Sequence, residues 1–553
     1  MRKLKVMALF LVVVTLLLSG CFNNSGTSEP TGTKDKPGGN NEVTEKIIRT
    51  NSGSEPGSLH PGKAEGSHDS WILDHTFVGL IKKTAEGKIV PGMADTWEQS
   101  DDSLTWTFHL KEGLKWSNGD PLTATDFEYA WKHVLNPETA SVYAYQLYYL
   151  EGGQEYNAAE EGADLKALED KVGVKAINNT TLEVKLAQPT PYFLEVTSHF
   201  TYYPINKKVQ EENPDWYKEA ATFVSNGAFK LTQWNHKENI KLEKNENYFA
   251  KDEIKLDGLF FTLIEDENTA WQMYQSGELD LVYPLPQDVT GKLMAEKDPI
   301  FHNGPDLSLY YLNINTKEKP FNNVKIRKAL SLAIDRQTIV EHVAQGGQKP
   351  AYGIVPPGIL DTKGDFQENS GDLFKEDVEE AKKLLAEGLA EEGLDKLPPF
   401  VYTYNTLEAH KKIAEAVQEM WRKNLGIEIT LENVEFQVKL DREKAGDFAV
   451  SRGGWIGDYV DPMTFLDLWI TDGPENNSQW SNKEYDRLIA EAKSTMDTAK
   501  RMKAMHEAEK IAIEEFPVIP IYFYTKPYVV RETVTGVYAP INRYPQMELA
   551  DIQ

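Results

Sequence analysis

The chain has 553 residues, long enough for several domains and a substantial core, and Gly (38) and Pro (28) occur at ordinary frequencies, which excludes a collagenous or low-complexity protein. A formal net charge of -27 would repel phosphate backbones and anionic headgroups, so nucleic-acid binding is not expected. Aromatic side chains make up 11%, including 12 Trp and 25 Tyr, a stock that suits either a lined ligand cavity or a large core.

The N-terminus places Arg2, Lys3 and Lys5 before an apolar run from Val6 to Leu18, a pattern that reads as a secretory signal over residues 1–20. The run is too short for a membrane-spanning helix, which needs about 20 residues, and no later segment approaches that length. Cys21, the single cysteine, follows Leu18-Ser19-Gly20 directly, so intrachain disulfides and cysteine zinc sites are excluded together. Leu18-Ser19-Gly20-Cys21 resembles the bacterial lipobox, which implies a diacylated Cys21 as a membrane anchor. Residues 22–45 are polar and nearly without aliphatic side chains, and read as a disordered tether averaging roughly 27 Å end to end.

From residue 46 to about 310 short strands with turns dominate. Thr105–Leu110 alternates, Ser117-Asn118-Gly119-Asp120 turns, Val174–Ile177 and Leu182–Leu186 flank Asn178-Asn179, and Ile240–Glu243 alternates again. Asn323 is placed to cap a helix running to about His342, with further apolar stripes at Val378, Ala381, Leu384, Leu385 and Leu389 and at Ile413, Val417, Met420 and Trp421. Strands are expected between and after these, at Phe400–Tyr404, Ile427–Leu431 and Phe516–Tyr524. This alternation indicates α/β lobes, and without an obvious internal linker the domains are expected to interleave.

The chain lacks phosphate-loop, dinucleotide, zincin and nucleophile-elbow motifs, which weakens an enzymatic reading. His60, His68 and His75 are spaced for neither helical pairing nor a short chelating loop, so no metal site is expected. Ser451–Pro462 differs in kind. It mixes glycines that admit a ligand close to backbone, a Trp455 face for stacking, and charges of both signs; a Gly-rich turn with a surface Asp and a core Trp explains the same residues about as well.

That segment resembles the peptide-contacting stretch of oligopeptide-binding proteins, the solute receptors (family 5) of peptide ABC transporters. The likeness continues through Pro91-Gly92-Met93-Ala94, Leu114–Pro121, Asn226–Leu231, Pro320–Arg327 and Ile519–Tyr522. It implies an α/β, two-lobed periplasmic-binding-protein fold of class C type: a first lobe from 46–77, 203–307 and 526–553, an extra domain at 78–202, a hinge, and a second lobe at 308–525. It further implies a lipid-anchored, extracytoplasmic monomer that hands short peptides to membrane permease subunits, with neither cofactor nor metal and no catalysis. The wider family also includes dipeptide, nickel and glycan binders. A narrower ligand, such as a murein or signalling peptide, and a secreted hydrolase are the alternatives.

Carried over residue by residue, the resemblance makes Asp458 the partner of the peptide α-ammonium, in keeping with the need of a buried cation for an anion. It makes Glu65 and Ser67 extended backbone that pairs with the peptide, and Gly454 the backbone presented from the opposite side. Tyr143, Phe436 and Trp455 would line side-chain compartments, and Arg452 and His410 would meet the peptide carboxylate. Two positions depart from the pattern: Ala344 replaces a lysine and Glu443 an arginine, although Arg442 is adjacent.

Overall fold

A computed structural model describes residues 45–85 and 87–553. The signal, Cys21 and nearly all of the tether therefore lie outside the described residues. Among the described residues, no helix is long and apolar enough to cross a membrane.

The chain begins with β1 (Ile47–Asn51) and α1 (Ser67–Thr76), then leaves to build a separate sheet from β2 (Ala94–Gln99), β3 (Thr105–Leu110), β4 (Val174–Asn178) and β5 (Thr181–Lys185) in the order β2-β3-β5-β4. In β3 every second side chain, Trp106, Phe108 and Leu110, is buried, as period-2 alternation requires. α2 (Ala124–Leu135) packs on β4 and β5, its first turn closed by Thr123 and Asp126. The chain then returns through β6 (Phe229–Asn235), β7 (Asn239–Lys244) and β8 (Gly258–Thr262). β8 lies parallel to β1, more than 200 residues earlier, giving the order β1-β8-β7-β6.

A six-stranded mixed sheet follows. It is made of β9 (Pro305–Ile314), β10 (Lys349–Pro350), β11 (Val401–Asn405), β12 (Thr430–Val434), β13 (Val450–Ile456) and β14 (Val518–Thr525), in the order β10-β14-β9-β13-β11-β12. β9 is buried along nearly its whole length, the pattern of a central strand covered on both faces. The helices of this part of the chain are α3 (Val324–Leu332), α4 (Val378–Glu391), α5 (Glu408–Leu425), α6 (Phe436–Ala445) and α7 (Thr498–Glu515), of which α3, α4 and α5 share one core with the sheet. On α5, Ile413, Ala414, Val417 and Trp421 are fully buried, and Trp421 donates its indole N–H to the Leu330 carbonyl at 2.9 Å. Burial of an aliphatic side chain of this size stabilises by about 1.5–3 kcal/mol, so this face outweighs the poor hydropathy of the rest of the helix.

Several expectations need adjustment. The helix expected from Asn323 to His342 starts as foreseen, with the Asn323 side chain accepting from the Lys325 N–H, but α3 ends at Leu332. Asp335 then accepts from the Thr338 N–H and starts a new short helical segment. The strand expected at Ile427–Leu431 lies at Thr430–Val434. Ile427 and Ile429 are apolar because they bury themselves behind Gly426, which takes φ +69° to end α5. The first 310 residues also contain helices that were not anticipated, among them α2 and Glu267–Ser276.

Candidate peptide-binding cleft

One cavity of about 330 Å³ opens between β13 and the loops and helices that come from the first half of the chain, and its size falls in the ordinary range for small-ligand sites. Glu65, Ser67, Tyr143, His410, Phe436, Arg452, Gly454, Trp455 and Asp458 all line it, although they come from segments as far apart as residues 65 and 458.

β13 is the spine of the site. It pairs antiparallel with β9, Arg452 opposite Leu312, Gly454 opposite Tyr310 and Ile456 opposite Ser308, so these three alternate residues share one face. At Gly454 a Cβ would stand 2.7 Å from the Arg452 guanidinium, so a larger residue here would shift that side chain. Arg452 donates to the Tyr524 hydroxyl at 2.6 Å and sits 5.0 Å from the centre of the Tyr310 ring. Its Nε is buried without a hydrogen-bond partner, and no carboxylate among the described residues lies within ion-pair distance. A guanidinium is always charged, so this end of the cavity holds an uncompensated cation.

His410, on α5, stands edge-on to Tyr310 with its Nδ1 buried and unpartnered; burial, reinforced by Arg452 and Lys439, holds it well below the usual histidine range, and it is neutral. The buried Lys439, on α6, is paired with Glu443 at 2.6 Å, and Glu443 also accepts from Asn313 and Ser451. Glu443 thus cancels the charge of Lys439. The guanidinium of the adjacent Arg442 turns to Glu432 at 2.7 Å.

The opposite end is acidic. The backbone leaves β13 through Gly457, whose N–H bonds to the Leu307 carbonyl, and Asp458 is held by its own N–H to Thr464 Oγ1 at 3.0 Å. The Asp458 side chain is 8% exposed. It accepts from Gln146 Nε2 at 2.7 Å and lies 3.3 Å from His199 Nε2. Tyr143 is stacked between this pair and the indole, 5.0 Å from His199 and 6.5 Å from Trp455. Phe436, the first residue of α6, meets His68 edge-on at 5.8 Å. Lys444 forms an ion pair with Glu65 across the cleft.

Ser67 departs from the expected extended backbone: it is the first residue of α1, with Gly66 as the extended cap. The cause is Asp69, whose carboxylate accepts from the N–H groups of Gly57, Glu65 and Gly66 and so winds the chain into a helix start. Burial nonetheless pushes the Asp69 carboxyl up to about 6. The Glu65 N–H is therefore already committed. His60, His68 and His75 do not converge, since their rings bond separately to Gln210, the Ser52 carbonyl and the Trp71 carbonyl. Gln146, His199, Lys439 and Glu475 are cavity or near-cavity groups that sequence reading missed.

The sequence model for bacterial extracellular solute-binding proteins, family 5, matches residues 88–477. The chain is 43% identical over 548 residues to the oligopeptide-binding protein OppA of Bacillus subtilis, covering 98% of both chains. Its structure superposes on Haemophilus influenzae OppA in complex with the peptide RPPGFSPFR with a TM-score of 0.83, at 33% identity, covering 92% of this chain and 99% of the other. Against the Escherichia coli murein tripeptide binding protein MppA the TM-score is 0.84, at 31% identity over 92% and 99% of the two chains. Against the unliganded open form of MppA it falls to 0.64, at 31% identity over 92% and 98%. A near-complete match that depends on the conformation of the neighbour is the behaviour of two bodies joined by a hinge. The chain belongs to the bacterial extracellular solute-binding proteins of family 5, and its fold is the two-lobed fold of that family.

Proposed function

We propose that this protein is a receptor that holds short peptides by both ends between its lobes and delivers them, chemically unaltered, to the permease subunits of a peptide ABC transporter. The observation that carries the reading is the polarity of the cavity, with the Asp458 carboxylate at one end and the unpaired Arg452 cation at the other. A free peptide is a zwitterion of matching polarity. Between its ends a peptide offers main-chain groups and variable side chains, and the wall between Arg452 and Asp458 offers Gly454, Trp455, Tyr143 and Phe436. The higher similarity to MppA outside its open form supports a closed arrangement here, in which ligand contacts reach both lobes at once.

The proposal includes the lobe boundaries given above, with residues 78–202 as an extra domain on the first lobe, a monomeric state, and no cofactor. Incubation with a mixed peptide pool followed by native mass spectrometry tests the reading. Intact peptides retained in the complex are the expected result. Shortened products would point to a hydrolase instead, and capture of murein-derived or signalling peptides alone would mark a narrower receptor.

Anchoring through a diacylated Cys21 at the outer face of the cell membrane is part of the same proposal, resting on Leu18-Ser19-Gly20-Cys21. Cys21→Ser is expected to move processed protein from the membrane fraction to the soluble one. Unchanged membrane retention, with no lipid on the wild-type protein, would remove the anchor from the proposal.

A further inference from the structure

The carboxylates at the acidic end of the cleft are unequally provided for. Asp458 faces Gln146 and His199, Glu65 is paired with Lys444, and Asp467, behind them, is paired with Lys493 at 3.1 Å. Glu475 belongs to the loop that follows Asp467–Trp469 and lines the same cavity, yet its Oε1 is buried and has no hydrogen-bond partner. A buried, unpaired acceptor of this kind is costly unless a ligand completes it. The α-ammonium does not, because Asp458 is assigned to it.

We propose that Glu475, together with Glu65 across the cleft, forms a subsite for a basic side chain, so that the receptor favours peptides carrying lysine or arginine at one defined position. This rests on the peptide-receptor reading above. The electrostatics agree with the geometry. Burial, the largest influence, pushes the Glu475 carboxyl up to about 8; Glu65, Asp458 and Asp467 push it the same way, and Lys444 alone opposes them. The other titratable groups facing it, Tyr143, Tyr145 and Tyr311, are all held above their ordinary range by burial and are neutral. An arriving ammonium, which stays charged, favours the ionised carboxylate, and whatever proton the raised carboxyl held passes to the buffer. The mixed ion cluster that results, one ligand cation between Glu475 and Glu65, also ties the two sides of the cleft together.

The test scans lysine, and its uncharged near-isostere norleucine, through every position of tri- and tetra-alanine, with affinities measured by calorimetry for the wild type and Glu475→Gln. At one position the wild type is expected to prefer lysine over norleucine by at least about 10-fold, in line with measured couplings between close charges, and Glu475→Gln is expected to bring that ratio to within about twofold. On the wild-type protein alone, the preferred lysine peptide should release up to about one proton at pH 7, read from the dependence of binding enthalpy on buffer, and its norleucine counterpart should not. Three results overturn the proposal: a ratio below tenfold at every position, a ratio that survives Glu475→Gln, or a loss in Glu475→Gln that is equal for both peptides and vanishes on N-acetylation, which would give Glu475 the α-ammonium instead. If neither lysine nor norleucine peptides bind the wild type, the peptide-receptor reading fails, and this inference with it.

Discussion

Asp458→Ala is expected to weaken the binding of free-amine peptides by at least about 100-fold. The carboxylate is 8% exposed, and the groups that touch it, Gln146 and His199, leave it without a lysine or arginine partner among the described residues. An ammonium brought to this point loses its water and receives Asp458 in exchange. Breaking a buried pair costs about 3 to 5 kcal/mol, or roughly 100- to 5000-fold in affinity, whereas an exposed pair is worth under ~1 kcal/mol. N-acetylation of the peptide should cost the wild type a similar amount, and the two losses should not add, because each removes the same interaction. Calorimetry on the four combinations of protein and peptide decides the matter. Binding by the variant within about threefold of wild type, ~0.7 kcal/mol, would mean that the ammonium sits elsewhere.

Arg452→Met should have two opposite effects. Peptides with a free carboxylate are expected to lose about 100-fold or more in affinity, and C-terminal amides, which no longer need the cation, should bind wild type and variant within about tenfold of each other. The ligand-free variant, by contrast, should melt no lower than the wild type. Arg452 is buried with its Nε unsatisfied and no carboxylate at hand, so its charge burdens the empty protein; methionine removes that burden at the loss of one hydrogen bond to Tyr524, worth about 1 kcal/mol, and of the guanidinium contact with the Tyr310 ring. Thermal denaturation of ligand-free protein provides the check. A Tm lower by more than about 3 °C would show that Arg452 is a structural residue, since 1 kcal/mol moves the Tm of a domain of 150–250 residues by only about 2–4 °C.

What the sequence disclosed about the fold was what local periodicity encodes. The alternation of Thr105–Leu110 survives, and of the stripe Ile413, Val417, Met420 and Trp421 all but the partly buried Met420 are buried, because each pattern is produced by one element burying one face. The failures share a cause. Ile427 and Ile429 look like strand residues but are buried by the turn after Gly426, and Asp335 interrupts an apolar stripe that continues past it, so apolar content alone did not reveal where the backbone changes course. The nine residues carried over by resemblance converge on one cavity, whereas Gln146 and His199 meet Asp458 only through pairings across about 310 and 260 residues of chain, a relation with no local signature. The helical start at Ser67 was missed for a similar reason: the signal is Asp69, three residues after a glycine cap instead of the usual Ser or Thr.

Arg452 and Asp458 stand six residues apart on β13 and its exit, a span of at most roughly 20 Å along extended chain. On the peptide-receptor proposal, both charged termini of a ligand would be gauged against a single sheet, and that gauge would keep its length whatever the angle between the lobes. The contacts that span the cleft, the Lys444–Glu65 pair and the Tyr143–Trp455 stack, join residues from distant parts of the chain. On that proposal the charges that meet the ligand's ends and the contacts that hold the cleft shut are borne by different side chains, open to change one at a time.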